Sequence, residues 1–270
     1  MEGYTARGRT RQRISQPSMR PNLIIIGAAK CGTQALHHYL GLHPEVSMSQ
    51  PNELDFFVEE VNWGRGLDWY ESHFTGMAKI YGESSPSYTR YPKFKGVPAR
   101  LFSVVPDAKL IYVVRDPVAR IISHYRFNRV RGARKRGTGQ APRKTLHAVL
   151  RSFDNVYVWQ SMYGTQLRQH LAYFPLSRIL VVSQEDLLEQ RRATLQEVFD
   201  FLGVDGGFYH PDFDVTRHTT ASLERRQFGD GAPSKPELEE EDRQRLVEHL
   251  RGDVDDFRSH VGRSFENWCV

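Results

Sequence analysis

The hydrophobic residues of this chain fall in short, unbroken runs rather than in alternation with polar ones. Four such runs predict strands, at Leu23–Gly27, Lys79–Tyr81 continuing into Gly82 and Glu83, Leu110–Val114 and Ile179–Ser183. Strands that are apolar at every position are typical of parallel sheets covered on both faces. The stretches between the runs are long enough for helices. The pattern therefore predicts an α/β protein of three layers, with a central, mainly parallel sheet flanked by helices.

Apolar residues at helical spacing predict a first helix from Thr33 to about Leu42. Another helix should follow Asp116, which suits an N-cap because Pro117 comes next and favours the first helical position. Four further stretches have helical patterns: Leu146–Ser161, Gly164–Ala172, Ala193–Leu202 and Glu237–His249.

Residues 1–20 are rich in arginine and poor in large apolar side chains, a composition typical of a disordered basic tail. No linker divides residues 21–270, which we expect to form one domain. The two cysteines, Cys31 and Cys269, lie far apart without metal-ligand spacing, so we expect neither a disulfide framework nor a metal site. No apolar run approaches the roughly 20 residues of a membrane span. We therefore expect a cytoplasmic protein without membrane contact.

The formal net charge is +5, and the positive charge is concentrated between Arg126 and Lys144, where eight basic residues and no acid occur. Three interpretations stay open for this segment. It suits a solvated, mobile loop, a lid or funnel for an anionic substrate, or an RNA-binding arm. The last is the weakest, because Phe127 is its one aromatic residue for stacking on a base.

The segment "LIIIGAAKCGTQAL", residues 23–36, combines a strand, a glycine turn and a helix. It differs from a Walker A loop because Lys30 precedes Gly32 and Thr33. Backbone N–H groups and the positive end of the helix converge in such a turn, which favours a phosphate or sulfate. A plain strand-to-helix turn with a surface lysine is the alternative.

A second anion site is expected at the end of the Leu110–Val114 strand. Arg115 follows this strand directly, and ligands of open α/β sheets bind at the carboxyl ends of strands. Ser123 lies about two helical turns further on and could face the same side, or be an ordinary surface serine. Two anion sites at neighbouring strand ends suit a nucleotide with phosphates at both ends of its ribose.

Six motifs give the chain a family resemblance. In chain order they are "PNLIIIGAAKCGTQALHHYLGLHPEV", "NELDFF", "GLDWY", "GESSPSY", "AKLIYVVRDPVARIISHY" and "VGRSFENW". Together they resemble the sulfotransferases that use 3′-phosphoadenosine 5′-phosphosulfate (PAPS), above all the heparan sulfate glucosaminyl type and its bacterial relatives. The resemblance extends from Pro21 to Trp268.

The resemblance implies a P-loop-like strand-loop-helix that binds the 5′-phosphosulfate of PAPS, with Lys30 near the bridging oxygen between sulfur and phosphorus. Arg115 and Ser123 match the 3′-phosphate binders, and Glu53 matches the catalytic base. The implied phosphosulfate loop consists of Ala29, Lys30, Cys31, Gly32, Thr33 and Gln34.

The resemblance also implies acceptor contacts. Asp55 is a second carboxylate in the motif of Glu53 and could bind the acceptor or act as the base instead. Glu83 and Tyr88 would border the acceptor cleft, although a glutamate at the end of a strand could equally be structural. Ser84 stands where heparan-type enzymes tend to have lysine, which weakens the case for a glycosaminoglycan acceptor.

Sulfuryl transfer needs a base for the acceptor proton and positive charge at the departing oxygen, and it requires no metal. We therefore expect transfer from PAPS to a hydroxyl, with an amine as second choice, of a carbohydrate or small natural product. Arg225, Arg226 and Lys235 are further candidates for PAPS contacts. The alternatives are a magnesium-dependent P-loop nucleotide kinase, and a nucleic-acid-binding protein that uses the Arg126–Lys144 segment.

Overall fold

The computed structural model of the protein describes residues 19–136, 145–215 and 236–270, the side chains of 133–136 excepted. Within these ranges, one five-stranded sheet consists of β1 (Leu23–Gly27), β2 (Val46–Met48), β3 (Ile80–Ser84), β4 (Lys109–Val114) and β5 (Ile179–Ser183). Its strands are parallel and follow the order β2-β3-β1-β4-β5. The predicted α/β architecture with a parallel central sheet is confirmed.

β1 lies at the centre of the sheet, between β3 and β4. Every one of its residues is apolar or glycine, which suits a strand that is buried on both faces. Ile24 is in register with Glu83 on β3 and with Leu110 on β4. The carboxyl ends of β1, β3 and β4 therefore meet at one edge of the sheet. After β1 the chain forms β2 and β3 on one side of it and then crosses to form β4 on the other side. Open α/β sheets form a ligand crevice at such a reversal of strand order.

Ten α-helices of the described residues cover the sheet or extend from its edges. Those before β5 are α1 (Thr33–Leu40), α2 (Leu67–Glu71), α3 (Val97–Val104), α4 (Pro117–Arg136), α5 (Leu146–Leu150), α6 (Val156–Trp159) and α7 (Tyr163–Leu171). After β5 come α8 (Gln184–Glu189), α9 (Arg191–Leu202) and α10 (Glu240–Val261). Single 3₁₀ turns occur at Trp63–Arg65, Pro86–Thr89, Leu176–Arg178 and Pro211–Asp214.

The single helix predicted over Leu146–Ser161 is wrong, because the structure divides this stretch into α5 and α6. Asn155 explains the break. Its side-chain oxygen accepts hydrogen bonds from the N–H groups of Tyr157 and Val158, and its amide donates to the Val149 carbonyl. An asparagine that caps a new helix start competes with helix continuation. The last helix is longer than predicted and continues past Gly252 to Val261.

The basic segment is helical in its first part. α4 continues to Arg136, so a loop is the wrong expectation for residues 126–136, and residues 137–144 lie outside the described part. Of the predicted tail, residues 1–18 also lie outside it, whereas Arg20 Nε donates to Glu71 Oε1 at 2.8 Å. In the part of the chain that the structure describes, no helix is both long and apolar enough to cross a bilayer.

Asp116 caps α4, as its position before Pro117 predicts. The Ala119 N–H donates to Asp116 Oδ1 at 2.6 Å. The other carboxylate oxygen accepts from the Cys269 N–H at 2.8 Å. One buried carboxylate thus starts α4 and ties the C-terminal residues to the end of β4, beside Arg115.

Candidate active site

Most backbone N–H groups of the loop between β1 and α1 are unpaired among the described residues. The groups of Ala29, Lys30, Gly32, Thr33 and Gln34 have no acceptor among the described residues, whereas the Cys31 N–H donates to the Ala28 carbonyl at 3.2 Å. Several unpaired N–H groups at a helix start favour a bound anion, because they combine with the positive end of the helix dipole. The loop has the properties of an oxyanion or phosphate cradle.

Two glycines allow the loop to take this shape. Gly27 has φ of 148°, and a Cβ there would lie 2.0 Å from Thr89 Oγ1. Gly32 precedes the helix with φ of 96°, a conformation that side chains rarely adopt. The close approach at Gly27 brings the 3₁₀ turn after β3 against the loop after β1.

Lys30 lies at the centre of the loop in a left-handed conformation, with φ of 76°. For a residue other than glycine this costs on the order of 1–3 kcal/mol and is typical of functional sites. Its ammonium lies 4.1 Å from the centroid of the Phe127 ring on α4. Burial lowers the pKa of Lys30 to about 8, and the charges of Arg115 and Arg120 lower it as well.

Arg120 anchors the loop from beneath, a role that sequence reasoning missed. This side chain is fully buried; its Nη1 donates to the Ala29 carbonyl at 3.3 Å, its Nε to Ser161 Oγ at 2.5 Å, and its Nη2 to the Tyr157 carbonyl. No carboxylate pairs with it in the described part of the chain. A helix-spacing argument could have found it, since it lies one turn before Ser123 and two before Phe127.

The Cys31 thiol points away from the anion cradle. It is buried, and its Sγ lies 3.5 Å from the hydroxyl of Tyr163, which is itself fully buried in the core. Burial raises the pKa of Cys31 to about 11, so the thiol stays protonated at neutral pH. Cys31 can therefore serve the cradle through its backbone position, while its side chain packs.

Arg115 and Ser123 both lie on the sheet edge predicted for the second anion. Arg115 follows β4 directly, is half-buried, and its guanidinium has no hydrogen-bond or ion-pair partner among the described residues. Its charge acts on Lys30, so the two cations share one site. Ser123 is buried in the second turn of α4. Their role in 3′-phosphate binding stays a prediction.

Two carboxylates face the cation side of the site. Burial raises the pKa of Glu53, and the charge of Asp55 raises it further; the charge of Arg90, hydrogen bonding from Gln34 and the charge of Lys30 act in the opposite direction. Glu53 is exposed as a residue, yet its carboxylate interacts with the loop that carries Lys30. The structure thus brings the predicted base and the predicted catalytic lysine into one site.

Asp55 is held in a strained backbone conformation next to Glu53. Its φ is 47°, and its Oδ1 is buried with no hydrogen-bond partner in the described part of the chain. Of three non-glycine residues with positive φ in that part, two are Lys30 and Asp55. Both strained residues belong to the predicted site, as expected where function rather than stability determines the backbone.

Two further residues that interact with charged groups of the site were not predicted from the sequence. The charge of Arg90 acts on Glu53, and its Nε is buried without a hydrogen-bond partner among the described residues. His124 follows Ser123 on α4, and burial together with the charges of Arg120, Arg90 and Lys30 lowers its pKa to about 2. His124 is therefore a neutral side chain among cations, and both residues are candidates for ligand contacts.

Glu83 and Tyr88, predicted at the acceptor cleft, are both buried, with 0% and 3% of their surfaces exposed. The Tyr88 hydroxyl donates to Glu83 Oε1 at 2.8 Å. These contacts favour the structural alternative for Glu83, while a role in acceptor binding stays a prediction. Arg225, Arg226 and Lys235 lie outside the described residues.

Comparison of the sequence and the structure with known proteins identifies the family of this chain. A family model described as the sulfotransferase domain matches residues 20–225. The chain therefore belongs to the sulfotransferase domain family. A solved sulfotransferase from Alicyclobacillus acidocaldarius has the same fold, with a TM-score of 0.68 and 23% identity over 93% of this chain and 99% of that one.

Curated relatives include human heparan sulfate enzymes. Heparan sulfate glucosamine 3-O-sulfotransferase 6 is 36% identical over 190 residues, which cover 68% of this chain and 52% of that protein. Bifunctional heparan sulfate N-deacetylase/N-sulfotransferase 2 is 30% identical over 202 residues, which cover 68% of this chain and 22% of that protein. The chain thus spans between about a fifth and about half the length of these two relatives.

Proposed function

We propose that this protein transfers a sulfuryl group from PAPS to a hydroxyl group, or as second choice an amine, of a carbohydrate or small natural product. The observation that carries the proposal is the shared site of Lys30 and Glu53, a cation in an anion cradle beside a carboxylate whose pKa is raised. Membership of the sulfotransferase domain family supports the same reaction.

The donor side of the site fits the two anionic ends of PAPS. The unpaired N–H groups of Ala29, Gly32 and Thr33 would bind the 5′-phosphosulfate at the start of α1. Arg115, without a partner among the described residues, would bind the 3′-phosphate together with Ser123. Lys30 and Arg115 carry the positive charge that a doubly phosphorylated nucleotide requires.

The acceptor side supplies the base. As the acceptor oxygen forms its bond to sulfur, its proton passes to the Glu53 carboxylate. The bond from sulfur to the bridging oxygen breaks, and its electron pair stays on the phosphate of the departing adenosine 3′,5′-bisphosphate (PAP). Lys30 and the loop N–H groups stabilise this developing charge more than they stabilise the bound donor. These residue types suffice for the reaction without a metal ligand set.

The acceptor is a molecule with several polar groups next to the reacting one. The buried Asp55 Oδ1 and Arg90 Nε both have unused hydrogen-bonding capacity in the described part of the chain. Leaving such atoms unpaired is costly, so an acceptor that donates to Asp55 and accepts from Arg90 gains affinity. A polyhydroxylated acceptor supplies both groups; the two human relatives are named for action on heparan sulfate.

The deciding experiment separates donor binding from turnover. The protein is incubated with PAPS and a panel of sugars, glycans, phenols, amines and nucleosides, and mass spectrometry detects products that have gained one sulfuryl group. We expect such a product and an equal amount of PAP. In parallel, PAP should raise the melting temperature of the wild type and of the surface control Arg178→Ala, but much less that of Arg115→Ala. Failure of PAP to stabilise the protein would contradict the proposal without reference to any acceptor.

The two alternatives predict different results. A nucleotide kinase would need ATP and magnesium, so PAPS turnover that survives EDTA contradicts it. Among the described residues, the one group of three potential metal ligands within mutual reach is His147, Glu239 and Asp242, which includes no predicted site residue. A nucleic-acid-binding protein would show steeply salt-dependent binding to RNA or DNA and no response to PAP. Cytoplasmic location remains part of the proposal.

A further inference from the structure

Glu83 is the centre of a buried hydrogen-bond network next to the candidate active site. It is the fourth residue of β3 and is fully buried. Three hydroxyl groups donate to its carboxylate: Tyr70 to Oε1 at 2.7 Å, Tyr88 to Oε1 at 2.8 Å, and Ser85 to Oε2 at 2.7 Å. A buried carboxylate is stable only with this degree of hydrogen bonding.

Two of these hydroxyls also hold the segment that carries Glu53. The Asp55 N–H donates to Ser85 Oγ at 2.9 Å, and the Phe57 N–H donates to the Tyr88 hydroxyl at 3.4 Å. The third hydroxyl, on Tyr70, makes no such bond to that segment in the described part of the chain. In the described part of the chain, Ser85 and Tyr88 thus connect the Glu83 carboxylate to the backbone on both sides of Phe56.

The direction of each bond depends on the carboxylate. A hydroxyl has one hydrogen to donate, and Glu83 accepts that hydrogen from both Ser85 and Tyr88. Their oxygens therefore offer only lone pairs to the segment above, which suits the N–H groups of Asp55 and Phe57. Chains of hydrogen bonds with consistent polarity reinforce one another in a buried setting.

We propose that Glu83 is a positioning residue, whose carboxylate orients the Ser85 and Tyr88 hydroxyls so that they fix the Asp55 and Phe57 backbone and thereby the Glu53 side chain opposite Lys30. The proposal rests on the proposed function in one respect, the assignment of Glu53 as the base. The network accounts for two features of the site: a glutamate buried without a cation partner in the described residues, and the strained backbone held at Asp55.

The protonation states of the surrounding groups agree with this role. Burial raises the pKa of Tyr70 and of Tyr88 well above 10, so both remain hydrogen donors at neutral pH. Burial raises the pKa of Glu83 to about 7, the three hydroxyls lower it, and the charge of Asp55 raises it. Among the described residues, Tyr70 and Tyr88 donate to the Glu83 carboxylate, and the charge of Asp55 acts on it. Protonation of Glu83 would replace an acceptor with a donor and weaken the two connections.

The test uses variants that remove single hydroxyls. Ser85→Ala and Tyr88→Phe each delete one connection to the Glu53 segment. Tyr70→Phe is the matched control, because it removes a hydroxyl from the same carboxylate oxygen as Tyr88 but has no bond to the segment. Hydrogen exchange of the Asp55 and Phe57 amides, measured in the full chain, should become about fivefold faster or more in the first two variants. The control should leave both rates within twofold of the wild type.

Turnover gives a second measurement. If Glu53 is the base, Ser85→Ala and Tyr88→Phe should lower kcat roughly ten- to a hundredfold with little change in PAP affinity, because they misplace the base and not the donor. Tyr70→Phe should lower it much less. Unchanged amide exchange in the first two variants, or equal acceleration in the control, overturns the proposal. Faster exchange without any sulfuryl transfer by the wild type would leave the network standing and contradict the proposed function instead.

Discussion

The ammonium of Lys30 lies 4.1 Å from the centre of the Phe127 ring, which joins the loop after β1 to the third turn of α4. A lysine over an aromatic ring gains about 0.5–2 kcal/mol, depending on how far it is removed from water. No hydrogen-bond acceptor among the described residues competes with the ring for this ammonium. Lys30 is therefore held in the site by a contact that leaves its three N–H donors available for an anionic ligand.

Replacing Lys30 by alanine should lower the rate of sulfuryl transfer by two or more orders of magnitude, since the variant loses the charge that stabilises the departing oxygen. The control is Lys93→Ala, because Lys93 also lies over a ring, 4.9 Å from the centroid of Phe94. This control should keep nearly full activity. Steady-state kinetics with saturating PAPS measure both variants, and equal rates for Lys30→Ala and the wild type would contradict the assignment.

The activity should fall as the pH rises through about 8. Burial lowers the pKa of Lys30 to about that value, and the charges of Arg115 and Arg120 lower it as well. The lysine must be protonated to stabilise negative charge, so activity is present below this pH and lost above it. The profile of kcat/KM reports the free enzyme and is the measurement to make. In Lys30→Arg the guanidinium stays charged, so residual activity should lack this alkaline fall.

The two carboxylates of the site should differ in function. Glu53→Gln keeps the shape of the side chain but cannot accept the acceptor proton, so transfer should fall at least a hundredfold while PAP affinity stays within a few-fold. Asp55→Asn should raise KM for the acceptor more than it lowers kcat, if Asp55 holds a neighbouring hydroxyl. Calorimetry with PAP and steady-state kinetics separate these effects. The opposite pattern would make Asp55 the base.

The fold follows from local hydrophobic patterns. The predicted bounds of β1 and β5 match the structure, because each is an almost entirely apolar run whose residues are buried, with the half-buried Leu180 of β5 as the exception. β2 was not predicted, since only Val46 of its three residues is buried and the strand lies at the sheet edge. A strand of this length is formed by pairing with β3, which no pattern within its own residues reveals.

Strand ends predicted the cations of the candidate site, whereas Glu53 and Asp55 were predicted from the family resemblance. Lys30 and Arg115 each follow a strand within a few residues, so sheet topology alone brings them together. Arg90 comes to the site through packing between segments far apart in sequence, which no spacing rule describes, whereas Arg120 shares α4 with Ser123 and lies at helical spacing from it. The buried position of Glu83 was also not predicted, because a polar residue near the end of a strand can face either the ligand or the core.

Glu83 should make the protein less stable as the pH rises. An unfolded glutamate titrates near pH 4.5, whereas burial raises the pKa of Glu83 to about 7 in the fold. The folded state holds the proton more tightly between these values, so this contribution to stability is present at low pH and lost as the pH rises through about 7. The interval corresponds to roughly 3 kcal/mol. Glu83→Gln lacks this titration. From pH 4 to pH 8 the wild type should therefore lose about this much unfolding free energy relative to the variant. A difference that stays constant in urea denaturation would contradict the raised pKa.

Arg120→Lys should both destabilise the fold and weaken donor binding. The Arg120 guanidinium donates to Ala29, Ser161 and Tyr157 at once. The compact ammonium of a lysine lacks the guanidinium's fork of donors and cannot reach all three acceptors. Each buried acceptor left unpaired costs about 1–3 kcal/mol, so we expect a loss of roughly 3 kcal/mol or more in unfolding free energy.

The surface control for that variant is Arg178→Lys, because Arg178 is exposed and pairs with the exposed Asp107. Its effect on stability should stay within about 0.5 kcal/mol. PAP affinity should fall in Arg120→Lys even at temperatures where it is fully folded, because the Ala29 carbonyl that Arg120 holds lies inside the anion cradle. If the variant loses stability but binds PAP as the wild type does, Arg120 supports the core without shaping the cradle.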